Sequence, residues 1–340
     1  YIRHWILRNS KVIAVIDLPP ETFQPHTGTK TSLVILERLK KPLNTLEEVK
    51  SYDIFMATPK HIGHDRRGNV TYKYNPDGSR TNEILTDFGE LEDTLDLFLK
   101  ENKLSDYEEA FIVKSLDITN ENELKLNAVF HKGISQSNSL KEHFSNNPDW
   151  KLEKLENLVS KVFYPGRFKR NYVTKSSLSV PFFGGADISS FSMETGKWLL
   201  ASDKITEQLI VEKGWILVTR SGSTGIVSMV PECWHGFAFS EHVIRIIPDE
   251  KLISSAYIYA FLSSPLGQLE MNKGIFGSVI EEISPLSIRD IVIPIPTNKR
   301  AMKDISKTVN LAMSERSAAI QNNETAIEII SKLLNRKTLK

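Results

Sequence analysis

The sequence predicts a multidomain protein of mixed α+β and α/β class. It reads as the edge of a doubly wound α/β sheet, a helical bridge, an α+β globule of short strands and a long terminal helix. Three observations carry this. The apolar runs VIAVIDLP (12–19), SLVILERL (32–39) and DIFMA (53–57) are separated by long crossings, the pattern of buried parallel strands. From 162 to 298 the style changes. Short β-like runs (YVTKSSLSVPFFGG, WILVTRSGSTGIVSMV, FAFSEHVIRII, DIVIPIP) alternate with Gly, Ser and Pro. After Pro296, Met302, Ile305, Val309, Met313, Ile320, Ile327, Ile330 and Leu334 recur at spacings of 3, 4 or 7, which is a sustained apolar seam.

Taken in order, residues 2–9 read as a helix, followed by the three strand-like runs. The chain has no initiator Met and its first residues look mid-domain, so the front half of such a sheet is expected to lie upstream. Residues 64–82 are polar and turn-rich, a loop or hairpin. Residues 87–103 show helical periodicity through Phe88, Leu91, Leu95, Leu97 and Phe98. AFIVKSLDI (110–118) has strand character, and NENELKLNAVFHKG and SNSLKEHFSNNPDW read as connectors with short helices. One helical insert, 255–272, interrupts the short strands. A helix over 299–335 would span roughly 55 Å at ~1.5 Å per residue. Its seam requires a partner, either the helix at 87–103 or another protomer. The implied divisions are 1–85, 86–155, 156–298 and 299–340.

Composition bounds the function. At 340 residues the chain exceeds the ~250 at which single cores stop growing, so two or three domains are expected. Its 40% hydrophobic and 25% charged residues are ordinary for a globular protein. Net charge is only +1, so a nucleic-acid signal has to come from local patches. No apolar run approaches the ~18 residues of a membrane span, and YIRHWILRNS lacks a signal-peptide layout. The single cysteine, Cys233, excludes an internal disulfide and fits a reducing cytoplasm.

The most informative local patch is 161–175, KVFYPGRFKRNYVTK. It holds Lys161, Arg167, Lys169, Arg170 and Lys175 without an acid, interleaved with Phe163, Tyr164, Phe168 and Tyr172. Lysine and arginine neutralise phosphates with release of counterions, and arginine can also grip guanine bidentately in the major groove. The bland alternative is a solvated strand edge with gatekeeping lysines. TRSGSTG (219–225) sets Arg220 beside two glycines and the hydroxyls of Ser221, Ser223 and Thr224, a turn able to offer N–H groups and hydroxyls to a phosphate. It is neither a P-loop nor a nucleophile elbow, and a plain β-turn is the competing reading. Lys273, ahead of Gly274, faces either DNA or simply solvent. Cys233, His235 and His242 lack the paired spacing of a zinc site, so no metal is expected, with Cys233 a small core hydrophobe and His242 a strand residue. A hydrolase built on Ser221 or Ser240 with His242 lacks the required elbow.

Two resemblances sharpen this. VIDLPPETFQPHTGTKTSLVILE (15–37) and IFMATPKHIGHDRRGN (54–69) resemble the C-terminal part of the adenine-N6 DNA methyltransferase subunit of type I restriction–modification systems. GRFKRNYV (166–173), EKGWILVTRSGSTG (212–225), SEHVIRI (240–246), YIYAFLSSPLGQ (257–268), GSVIEEISPLSI (277–288) and IVIPIP (291–296) resemble one target-recognition domain of the type I specificity subunit. The terminal helix, through AIEII (326–330), looks like that subunit's spacer, and AFIVKSLDI like the junction in enzymes that fuse the two parts.

The resemblance implies a sequence-specific DNA-recognition module reading one half of a bipartite site. DNA contacts are expected from Arg167, Lys169, Arg170, Lys175, Arg220, Ser221, Ser223 and Lys273. Phe55, His64 and Arg67 fall where the complete enzyme would approach its flipped adenine. The family's Gly-containing cofactor loop and Asn-Pro-Pro-aromatic tetrapeptide are missing from these 340 residues. The chain alone is therefore expected to have no catalytic residues and no cofactor, S-adenosylmethionine belonging to the complete enzyme. The implied partners are double-stranded DNA and, through the terminal helix, a second protomer or a specificity or modification subunit. A cytoplasmic location is expected, with no membrane. The rival reading is an assembly scaffold that does not read DNA.

Overall fold

The computed structural model describes residues 1–120, 124–276 and 282–337. The chain divides into two compact units, Tyr1–Ser135 and Gln136–Lys340.

The first unit contains α1 (Ile2–Asn9), β1 (Ser10–Asp17), β2 (Ser32–Arg38), β3 (Asp53–Ala57), β4 (Tyr72–Tyr74), β5 (Arg80–Ile84), α2 (Phe88–Glu101), β6 (Ala110–Lys114) and α3 (Ser115–Thr119). A four-stranded sheet runs β2-β1-β3-β6. β1 and β3 are parallel, with Ala14 opposite Phe55, but β1 with β2 and β3 with β6 are antiparallel. The expected run of buried parallel strands therefore reduces to one parallel pair. β2 is an edge strand with Leu33 and Leu36 exposed, because the chain turns back after Asp17 and places it beside β1 in reverse. The apolar runs of β1 and β3 are buried on both faces. Val12, Val15, Ile54 and Met56 pack with Leu7 of α1, while Ala14, Ile16 and Phe55 pack with Leu91 and Phe98 of α2. The predicted helix at 87–103 thus covers its own sheet. Residues 64–82 form the expected polar turns, and β4 and β5 pair as a hairpin.

α4 (Ala128–Ser145) is a single helix where short pieces were expected, and the division between the units falls within it. The second unit continues with β7 (Trp150–Lys154), β8 (Val159–Phe163), β9 (Ser179–Phe183), β10 (Trp198–Leu200), α5 (Lys204–Leu209), β11 (Ile216–Thr219), β12 (Val227–Met229), β13 (Ala238–Phe239) and β14 (Val243–Pro248). Then come α6 (Ser255–Ser263), α7 (Pro265–Asn272), β15 (Ile275–Phe276), β16 (Glu282–Ile283), α8 (Pro285–Arg289), β17 (Val292–Pro296) and α9 (Lys299–Lys337). Small sheets of order β12-β11-β14-β8 and β10-β9-β13 dominate, as the short runs predict. Residues 277–281 of the GSVIEEISPLSI string lie outside the described residues.

Strand alternation divides this unit's core in two. Ile216 and Val218 of β11 and Ile244 and Ile246 of β14 face α6, with Ile258 and Leu262. Leu217 and Val243 point the other way, toward Phe183, Trp234 and Phe239. Local capping sets the helical corner. Ser254 and Ser264 accept the N–H groups of Tyr257 and Gly267, and Pro265 opens α7. Only glycine fits at 267, where a Cβ would lie 2.0 Å from the Phe261 carbonyl oxygen.

α9 follows the predicted helix closely, and its seam has an unexpected partner. Met302, Ile305, Val309 and Met313 pack on the first core cluster, and Ile320 is wholly buried in the second. Arg316 reaches the carbonyls of Ile188 (2.9 Å) and Ser190 (3.3 Å) and lies 4.7 Å over the Trp234 ring. Glu324 accepts from the Met193 N–H at 2.8 Å. Beyond it, Ile327, Ile329, Ile330, Leu333 and Leu334 are all at least half exposed. The seam partner for the first twenty-odd residues is therefore the helix's own unit.

Candidate nucleic-acid interface

Pro165 and Gly166 end β8, and the chain runs to β9 without joining a sheet, apart from a single bridge between Val173 and Trp198. The interleaved aromatics explain how this stretch is held. Phe168 and Tyr172 pack against Phe182 of β9 with ring centroids 6.1 and 5.9 Å apart. Pinning the rings turns the intervening cations outward, and Arg167, Lys169 and Arg170 are exposed. Arg167 and Lys169 form no ion pair among the described residues. Lys175 is also exposed but is shared between the Glu194 carboxylate and the face of Trp198. Arg170 donates from Nη2 to Glu241 Oε1 at 2.8 Å, with its guanidinium within 6 Å of both the Phe168 and Phe182 rings.

The turn after β11 closes on itself. Thr219 Oγ1 donates to the Ser223 carbonyl and accepts the Ile226 N–H at 2.9 Å. Gly222 and Gly225 take positive φ, and Ser223 is exposed at the tip. The Ser221 hydroxyl lies 2.7 Å from His242 Nδ1. His242 sits in the loop ahead of β14, not in the strand as expected. Arg170, Tyr172, Phe182, Lys197, Ser221, Ser240 and His242, with glycines 184, 185 and 222, line one open cleft of about 440 Å³.

Beneath the cleft lies Arg245, 0% exposed and opposite Leu217 in the ladder. Its guanidinium donates to the carbonyls of Leu209 (3.1 Å), Phe239, Ser240 (3.0 Å) and Val243 (2.6 Å). Burial pushes its pKa down to about 9, so it stays charged at neutral pH. It gathers the ends of α5, β13 and the 240–242 loop, which fixes Ser240, Glu241 and His242 at the cleft.

Other expected contacts are placed elsewhere. Arg220 is 7% exposed, donates to Glu282 Oε2 at 3.0 Å and stacks 4.5 Å from the Tyr164 ring. It braces the turn from within. Lys273 pairs with Glu270 at 2.7 Å and is mostly buried, so its charge is met inside the unit. Phe55 is 0% exposed, with its ring 5.6 Å from Phe98, and is a core residue. His64 is half-buried against the Asp65 carbonyl, and the Asp65 carboxylate accepts the Arg67 N–H, leaving the Arg67 side chain exposed. Cys233 is a buried core residue, as expected.

Sequence reasoning missed Glu241, Lys197 and the Gly184-Gly185 pair. The adjacent Glu241-His242 was the available signal. It suggests hydrolase chemistry only superficially. Glu241 Oε1 is 3.6 Å from His242 Nε2, beyond hydrogen-bond range, and its charge is met by Arg170.

Among the described residues no helix is long and apolar enough to cross a membrane, and no group of ligating side chains could hold a metal ion. None of the curated proteins matches the chain. Among solved structures it is similar to the type-I restriction–modification S subunit from M. genitalium, with 19% identity, covering 56% of this chain and 45% of that one, at a TM-score of 0.39. It is also similar to the HsdS subunit from Thermoanaerobacter tengcongensis, with 12% identity, 68% and 62% coverage and a TM-score of 0.36. A third likeness is the type IIG restriction endonuclease BpuSI, with 9% identity, 94% and 44% coverage and a TM-score of 0.40. The chain spans less than two-thirds of the length of each. The family model of the type I restriction modification DNA specificity domain matches residues 147–322, more than half of the chain. The match runs from β7 into α9 and takes in the whole cleft, and on that extent the chain belongs to the type I restriction modification DNA specificity domain family.

Proposed function

We propose that this chain is the DNA-reading part of an adenine-modifying restriction–modification protein. Its second unit would recognise one half of a bipartite site. The observation that carries the reading is the outward-facing cation loop, with Arg167 and Lys169 exposed beside the cleft, inside the segment matched by the family model. Arg167, Lys169 and Lys175 would track phosphates, with Ser223 offering a hydroxyl from the turn. Tyr1–Ser135 would be the closing part of a methyltransferase domain. This is supported by the one parallel strand pair and by the 15–37 and 54–69 strings. S-adenosylmethionine would bind to the rest of that enzyme. The apolar face left on α9 beyond Glu324 would pair with a second protomer or a partner subunit, holding two reading units at a fixed spacing.

The test is selection of duplexes from a randomised pool by the full chain. A recurrent motif is expected, with affinity falling steeply as salt rises. Equal retention of all sequences would favour the assembly scaffold instead.

A further inference from the structure

Resting on that reading, we infer that Arg170 reads a guanine in the cleft and that Glu241 is the positioning residue that aims it. Arg170 is exposed but not free, because its Nη2 is held 2.8 Å from a carboxylate that is only 7% exposed. A guanidinium neutralised by a neighbouring carboxylate is a poor phosphate clamp. The carboxylate repels the phosphate, and little counterion release remains to be gained. A guanine edge is different. It is uncharged and offers two acceptors, N7 and O6, which match two donors of a planar fork. Such a contact needs the guanidinium plane held still, and Arg170 is held by Glu241 and flanked by the rings of Phe168 and Phe182.

Glu241 itself has the marks of a group retained for aiming. It is buried, and its Oε2 has no hydrogen-bond partner among the described residues. An incompletely satisfied buried carboxylate is poorly explained by stability. Arg245 fixes the backbone on either side of it, through the Ser240 and Val243 carbonyls. Glycines 184, 185 and 222 are among the residues that line the cleft, so part of its wall carries no side chain. Lys169, exposed and without an ion pair among the described residues, supplies the contrasting phosphate contact.

The experiment is motif selection and salt-dependent binding by the full chain and its Arg170→Lys, Arg170→Ala, Glu241→Gln and Lys169→Ala variants, with thermal melts as a folding control. The expected motif contains a guanine whose replacement weakens wild-type binding about ten- to a hundredfold. Arg170→Ala and Arg170→Lys both abolish that preference, since a single ammonium cannot make the fork, and they leave the salt slope unchanged. Glu241→Gln weakens the preference at the same position only. Lys169→Ala lowers affinity for every sequence alike and reduces the slope by about 1. If Arg170→Lys restores wild-type behaviour while Arg170→Ala loses affinity uniformly, Arg170 is a phosphate contact and the inference is overturned. A motif without a guanine dependence on Arg170 also overturns it. Selection of no motif at all brings down the DNA-reading proposal, and this inference with it.

Discussion

Replacing Arg245 tests whether a buried guanidinium holds the 239–243 segment in place beside the cleft. Four carbonyl oxygens converge on it, from Leu209, Phe239, Ser240 and Val243. Removing a charged donor from a buried acceptor costs about 1–3 kcal/mol per group left unsatisfied. Two effects reduce the sum. The Ser240 oxygen also accepts the Val243 N–H, and truncation relieves the cost of burying a charge, the same desolvation that depresses the Arg245 pKa. The net loss for Arg245→Ala is therefore about 3–5 kcal/mol, a large share of the ~5–15 kcal/mol that holds a domain. For a unit of this size that lowers Tm by roughly 6–20 °C, at about 2–4 °C per kcal/mol. Arg245→Met separates packing from hydrogen bonding, because it fills the space without donors. Urea unfolding gives the stability, and amide exchange gives the local effect. In Arg245→Met the amides of 239–243 should exchange faster than those of α6, which the carbonyl cluster does not touch. A Met variant within about 1 kcal/mol of wild type, with 239–243 equally protected, would refute the role assigned to the guanidinium.

Three further outcomes follow from the same geometry. Ile320→Asp buries a carboxylate against Trp234 and Cys233, so it should unfold the second unit rather than merely loosen dimers, and a melt of the monomeric fraction distinguishes these. Ile330→Glu with Leu334→Glu should abolish self-association in sedimentation while leaving Tm within about 2 °C, since both side chains are exposed. Glu109 supplies acid sensitivity in the first unit. Burial raises its pKa, but hydrogen bonds from Lys132, Lys60 and Thr58 outweigh this and hold it at about 2. The folded-state value lies below the unfolded one, so its contribution is complete above pH ~4.5 and is lost as pH falls toward 2. With Lys60 largely exposed, about 1–3 kcal/mol is expected over that window, and Glu109→Gln should flatten it in acid titration of stability.

The sequence made the elements legible better than their neighbours. The apolar runs of β1 and β3 announce burial on both faces, but nothing in them says that β2 and β6 lie antiparallel, which depends on how the connections turn. α4 was obscured by Gly133 and its serines, poor helix formers that tertiary packing overrides. The cations at 167–170 were legible as a patch. What separates them is not, because Glu241 lies 71 residues from Arg170 and only folding brings the two together while sparing Arg167 and Lys169. Arg245 shows the same limit most plainly. Alternation in VIRIIP places it opposite Ile244 and Ile246, on the side a one-faced sheet would turn to solvent, yet a second core cluster covers that side.

The seam of α9 is where a single periodic pattern served two ends. Periodicity reports that a face is buried without saying by what. From Met302 to Ile320 the partner is the chain's own core, secured by Arg316 and by Ser317, which accepts the Cys233 N–H at 3.1 Å. From Ile327 onward the same apolar spacing continues over residues that are at least half exposed. A helix docked through five turns cannot swivel freely, so its exposed end keeps a fixed direction from the cleft. At ~1.5 Å per residue, Leu334 lies roughly 15 Å beyond Glu324 along that direction. Any partner gripping that end inherits the orientation, and two copies joined there would set their clefts at one distance. The rigidity that the proposed ruler would need is therefore supplied by the burial of the helix's first half.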